Sequence, residues 1–121
     1  MKLENIKFKA KRLDNGEWII GSFVVMKIPA LSKTAIGIVA EGGATLHEVD
    51  PSTICQFTGL TDKNGTPIYE DDIVIYKDNN AERRGNINWD SKAAALCFGQ
   101  GFLVHYPSEN MVVIGNKFDK K

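Results

Sequence analysis

The chain is poor in most of the residues that announce a chemistry. It has only two cysteines in 121 residues, Cys55 and Cys97, far apart and without a CxxC pair. That spacing excludes a disulfide framework and a zinc knuckle, and two lone thiols read as small buried hydrophobes. Charge of one sign is also missing. Fifteen basic residues balance fifteen acidic ones, so no net field draws the protein toward nucleic acid or an anionic membrane. No apolar run approaches the roughly 20 residues of a spanning helix. The opening "MKLENIKFKAKRL" breaks its apolar positions with charge and holds no signal-peptide core. The expectation is a cytoplasmic protein with no membrane attachment.

Catalytic patterns are lacking too. Gly37, Gly42 and Gly43 are not followed by Lys-Ser/Thr, and neither a GxGxxG nor a GxSxG is written anywhere, so the phosphate cradles and the nucleophile elbow are excluded. His47 and His105 stand at no motif spacing from an acid or a cysteine. The residues therefore predict no catalytic group, no metal, no cofactor and no enzyme.

What is there is the composition of one soluble globular domain, 43% hydrophobic and 25% charged, long enough to bury a core. Ile6, Phe8 and Ala10 alternate with Lys7, Lys9 and Lys11, the period of a half-buried strand. Asn15-Gly16 then separates this run from "EWIIGSFVVM", which predicts a β-hairpin with a type I′ turn. Over 29–50 we expect a loop, a strand near Ile36–Ala40, a glycine turn and a strand near Thr45–Val49. "STICQFTGL" and "DIVIY" have strand composition, and "KDNNAERR" reads as a polar connecting loop. "SKAAALCF" is a conflict: its alanines favour a helix, while its length and flanking glycines favour the strand we assign. Many short strands with close turn signals indicate an all-β barrel or sandwich.

The densest signal is "TGLTDKNGTPIYEDDIVIY", residues 58–76. Asp62, Asn64 and Gly65 resemble a calcium loop only superficially, because glycine comes at the fourth place instead of the sixth and Pro67 follows. Asn64-Gly65 is a turn that admits positive φ, with an aspartate accepting backbone N–H bonds. Glu70, Asp71 and Asp72 read as the entry to "DIVIY". On the first strand Lys7, Lys9, Lys11 and Arg12 project largely from one side, with Trp18 in the partner strand. This surface is either a guard against edge pairing or a contact for nucleic acid.

The block "TICQFTGLTDKNGTPIYEDDIV" resembles the signature of the YopX family of bacteriophage and prophage proteins, and "IKFKAKR", "GEWIIGSF", "GNINWD" and "VVIGN" extend the resemblance across most of the chain. The matching positions are Thr58, Gly59, Leu60, Asp62, Asn64, Gly65, Ile68, Tyr69, Asp72, Ile73 and Val74, with Gly115 and Asn116 near the end. Asp71 departs from the family's usual glycine, and "NKFDKK" replaces a longer ending.

The resemblance implies a mainly β fold of short antiparallel strands, an SH3-like barrel over about 51–121 with an additional N-terminal hairpin region over about 1–50, in one domain spanning 1–121. It also implies a phage setting inside a bacterial host cell, and no known reaction. Three functions are expected in descending order: an interaction module for a host or phage protein, a nucleic-acid binder using the basic hairpin, and an enzyme using Asp62, Asp72 or a histidine. Self-association into a homo-oligomer is a separate expectation for a small β domain with exposed edges.

Overall fold

The period-two runs become strands in the computed structural model, which describes residues 2–79 and 81–119. Asn80 of "KDNNAERR" and the last two lysines of "NKFDKK" lie outside the described residues. The chain folds as two compact units, Met1–Gln56 and Phe57–Lys121.

In the first unit β1 (Phe8–Lys11) pairs antiparallel with β2 (Trp18–Ile28), which pairs with β3 (Lys33–Ala40), which pairs with β4 (Leu46–Glu48). On the other side of β1 lie Cys55 and Gln56, the first residues of β5 (Cys55–Thr61). Ala10, Ile38 and Val49 are buried together, with Phe8, Ile19, Ile36 and Ile54 packed around them. Between β4 and β5 a single 3₁₀ turn, Pro51–Thr53, is capped by Asp50, whose Oδ1 accepts from the Ser52 N–H at 3.0 Å.

The predicted hairpin forms, but not with a two-residue turn. The last ladder pair is Lys11–Trp18, and the Arg12 N–H donates to the Glu17 carbonyl at 2.9 Å. Gly16 takes φ 72°, while Asn15 is not among the residues of positive φ. A type I′ turn needs positive φ at both central residues. A longer loop with glycine alone in the left-handed region replaces it. The strands expected within 29–50 are present, with β3 starting earlier than the sequence suggested.

In the second unit the remainder of β5 pairs with β6 (Pro67–Tyr69). A five-stranded antiparallel sheet follows, in the order β10 (Gly101–Phe102), β9 (Ala95–Phe98), β8 (Glu82–Asp90), β7 (Asp72–Lys77), β11 (Met111–Asn116). Ile68, Val74, Tyr76, Ile87, Phe98, Leu103 and Met111 form its buried cluster. The conflict over "SKAAALCF" resolves by division: Ala93 and Ala94 lie in a turn, Ala94 at φ 51°, and the strand begins only at Ala95. Glu82–Arg84, expected in a loop, belong to β8, and a Lys77–Glu82 ion pair of 3.3 Å closes that hairpin.

The protein is mainly β, in two antiparallel sheets. Neither sheet closes into a barrel. Among the described residues no helix is long and apolar enough to cross a membrane.

Candidate interaction surfaces

The signature residues are brought together by hydrogen bonds to backbone. Thr58 Oγ1 donates to the Ile68 carbonyl at 2.7 Å and accepts from the Leu60 N–H at 3.1 Å, so one hydroxyl spans the β5–β6 pair where its register shifts. Gly59 and Gly65 sit at φ 85° and 83° in this shift and in the following turn, a region costly for residues with a Cβ.

Asp62 is the hub of that turn. Its Oδ1 accepts from the N–H groups of Asn64 at 2.8 Å and Thr66 at 2.9 Å, and its Oδ2 accepts from the Val113 N–H at 2.9 Å. The neighbouring Lys63 N–H donates to the Met111 carbonyl at 2.9 Å. The turn therefore lies along β11 and occupies backbone groups on the side away from β7. Burial raises the Asp62 pKa, but the three backbone N–H donors outweigh it, so its carboxyl titrates below the usual 3.8.

Asp72 does a similar task at the entry to β7. Its Oδ2 accepts from the Tyr69 N–H at 2.8 Å and its Oδ1 from Asn116 Nδ2 at 2.9 Å. Asn116 in turn accepts from the Phe118 N–H at 2.9 Å, and Asp119 Oδ2 receives the Asn116 N–H at 2.8 Å. Asp71 takes φ 68°, the left-handed conformation in which a glycine would be at ease. Ile68 and Val74 enter the core, Tyr69 packs on Phe57 at 5.4 Å between ring centroids, and Gly115 lies opposite Ile73 just past a register shift. Burial, reinforced by the charge of Asp72, pushes the Tyr69 hydroxyl from 10.0 up to about 12.

The basic strand divides. Lys9 and Lys11 share a face, their Nζ atoms 4.7 and 5.4 Å from the Trp18 ring centroid. Lys7 precedes the strand. Arg12 leaves the group: its guanidinium forms a two-bond pair with Asp14, at 2.9 Å through Nε and 2.6 Å through Nη2. That hydrogen bond holds the Asp14 carboxyl below its usual value. The Arg12 guanidinium is thus held by Asp14, apart from the two lysines over Trp18.

His47, on β4, lies beside Asp14 and Glu48 in the first unit, and the His105 ring is tilted against Phe102 at 6.4 Å between centroids in the second. Among the described residues no three His, Cys, Asp or Glu side chains group as metal ligands.

Sequence reasoning missed a groove of about 690 Å³ in the second unit. Thr58 and Leu60 of β5 form one wall, Ala95 and Leu96 of β9 another, and the segment Phe102–Glu109 the rest. That segment cannot run straight. Gly99 turns the chain at φ 59°, β10 lasts two residues, a 3₁₀ turn covers Leu103–His105, and Pro107 precedes a second 3₁₀ turn at Ser108–Asn110. Leu103 consequently points into the core while Phe102 and Val104 face out, Val104 at 85% exposure. Tyr106 floors the groove and is wedged edge-on against Tyr76 at 5.2 Å and Phe98 at 5.1 Å. Glu109 is the one charged residue among its described lining. The signal in the sequence was "GFLVHYP", four apolar or aromatic residues at too short a spacing for all to be buried.

Two open antiparallel sheets, the second braced by a turn whose carboxylates hold backbone, define a small all-β protein. The chain belongs to the YopX family: the family model described as YopX protein matches residues 7–120. No curated protein and no solved structure matches the chain.

Proposed function

We propose that the protein is a non-enzymatic interaction module of a bacteriophage or prophage, acting in the host cytoplasm and holding a protein partner in the apolar groove of the second unit. The observation that carries this reading is the cluster of Leu60, Phe102 and Val104, exposed at the rim of a groove whose floor is fixed by three mutually packed aromatic rings. Exposed apolar side chains on a rigid, concave support are the usual anatomy of a docking site. An extended peptide held in an aromatic-floored groove is one recurrent use of small β sheets, SH3-like ones among them. The signature carboxylates support a non-enzymatic role because their oxygens are committed to structural bonds.

The test is a comparison of tagged wild type with Leu60→Asp/Val104→Asp expressed in the host. Both residues are exposed, so the variant keeps the far-UV spectrum of the wild type. A stoichiometric partner held by the wild type and lost by the variant supports the reading. A partner retained equally by both overturns it.

One observation favours a second reading, nucleic-acid binding: two ammonium groups and an indole share the β1–β2 face. It predicts fluorescence anisotropy changes with labelled DNA or RNA that weaken steeply with salt and on changing Lys7, Lys9 and Lys11 to glutamate. No change at low salt removes it.

A further inference from the structure

β2 outruns β1. The two pair only over Trp18–Gly21, whereas β2 stays paired with β3 as far as Ile28. Continuing the ladder would set Ile6 opposite Phe23, but the Ile6 N–H donates to the Leu3 carbonyl at 3.0 Å in the 3₁₀ turn Leu3–Asn5, and the chain leaves the sheet. On that side residues 22–28 are an open edge. Antiparallel strands turn alternate residues toward each neighbour. The Arg12 N–H bonds the Glu17 carbonyl, which turns the odd residues of β2 toward β1, and the Ile36 carbonyl, opposite Val25, accepts from the Val49 N–H at 3.1 Å. The N–H and C=O groups of Phe23, Val25 and Lys27 therefore point off the sheet, and among the described residues they have no hydrogen-bond partner. Proteins blunt such edges with proline, charge or brevity. Residues 22–28 hold no proline and one charge, Lys27, and Val25 and Met26 are 57 and 47% exposed.

We propose that this edge pairs with the same edge of a second copy of the protein, antiparallel about a two-fold axis at Val25. Register selects this occupant. Val25 is the midpoint of 22–28 and its own backbone groups point outward, so the axis falls on a hydrogen-bonded pair. Val25 then faces Val25 of the second copy, and Phe23 and Lys27 of each copy face Lys27 and Phe23 of the other. Every outward N–H and C=O of both edges is satisfied. The incoming strand ends opposite Ser22, just short of Gly21, where Phe8 already occupies the edge. Moving the axis by one residue leaves outward groups unpaired or drives the strand onto Phe8. Lys27 comes opposite an aromatic ring and not opposite another lysine, so the one charge on the edge does not guard it against its own copy. The contact is small beside the roughly 800 Å² that each partner of a stable complex buries, which makes the dimer dependent on concentration. The groove of the second unit takes no part in it.

The test is the mass of the purified full chain by light scattering across a concentration series. Wild type is expected to pass from monomer to dimer. Val25→Pro keeps the far-UV spectrum, because the N–H it removes faces away from β3, and weakens association about ten- to a hundredfold. Val25→Lys and Val25→Glu, at an exposed position, each set like charges opposite one another at the axis and associate about two- to fivefold more weakly. An equimolar mixture of these two regains dimer mass, as an axis at residue 25 requires. Leu60→Asp/Val104→Asp dimerises as the wild type does. A wild type that stays monomeric, a Val25→Pro variant that dimerises unchanged, or a mixture no more associated than its components overturns the proposal. If the wild type stays monomeric but holds a host protein that Val25→Pro loses, the edge receives a foreign strand and self-pairing falls.

Discussion

The second unit buries seven side chains in one cluster and ties its ends with aspartate, whereas the first buries three around a long hairpin. The difference teaches where each can tolerate change. In the second unit burial and polar staples converge on the same few strands, so its order is over-determined. The first unit relies on ladder bonds and a smaller buried cluster.

The comparison is broken most directly through the cores. Ile87 is fully buried in the larger cluster, and Ile87→Ala is expected to cost about 2–5 kcal/mol in urea unfolding. Ile38→Ala, equally buried in the smaller one, should fall near about 2 kcal/mol because the thinner surroundings can collapse. Equal costs would show that the two units are held alike. Next in size is Asp62→Ala, which leaves three N–H groups without their acceptor and should cost about 1–3 kcal/mol. An unchanged midpoint would dismiss the carboxylate as a brace.

The same residue sets an acid limb. The folded pKa of Asp62 lies below the ordinary 3.8, so its stabilisation is complete above that value and is lost as pH falls through the lowered one. Asp62→Asn should flatten the limb in acid titrations followed by circular dichroism. At the alkaline end the sign reverses in position: the Tyr69 value rises from 10.0 to about 12, so stability present below pH 10 declines toward 12. Tyr69→Phe should remove this decline, and an identical alkaline limb in the variant would refute the assignment. The smallest effect is Asp71→Gly, which relieves a left-handed aspartate at φ 68° and should gain about 0.5–1 kcal/mol after the entropy cost of glycine. A loss instead would mean that the aspartate side chain itself sustains the turn.

Much of this was legible in the sequence, for physical reasons that differ by element. The β1–β2 hairpin showed itself because period-two alternation has one reading, and "TDKNGTP" did because Asp62 and Gly65 do what turn residues do. Turn geometry was harder: the loop after Lys11 is lengthened by the Arg12–Glu17 bond, which no dipeptide rule foresees. "SKAAALCF" was misjudged in extent because a turn placing Ala94 at φ 51° runs against alanine's own preference and is imposed by the strands on either side of it. The groove was invisible because it depends on which of Phe102, Leu103 and Val104 turns inward, and two 3₁₀ turns decide that without a periodic signal. The lysine patch was half readable, since alternation puts Lys9 and Lys11 on one face but cannot show that Arg12 closes on Asp14.

The bond from Asp62 to Val113 also orders events in time. It joins residues 51 positions apart, and the Asp72–Asn116 bond spans 44. During synthesis the turn and β7 leave the ribosome long before β11 does, so the cluster of Ile68 and Val74 is closed last, when Met111 arrives. Contacts of such separation slow folding. A nascent chain stalled before Met111 should accordingly remain protease-sensitive throughout its second half, and extension by the last strand should confer resistance in a single step.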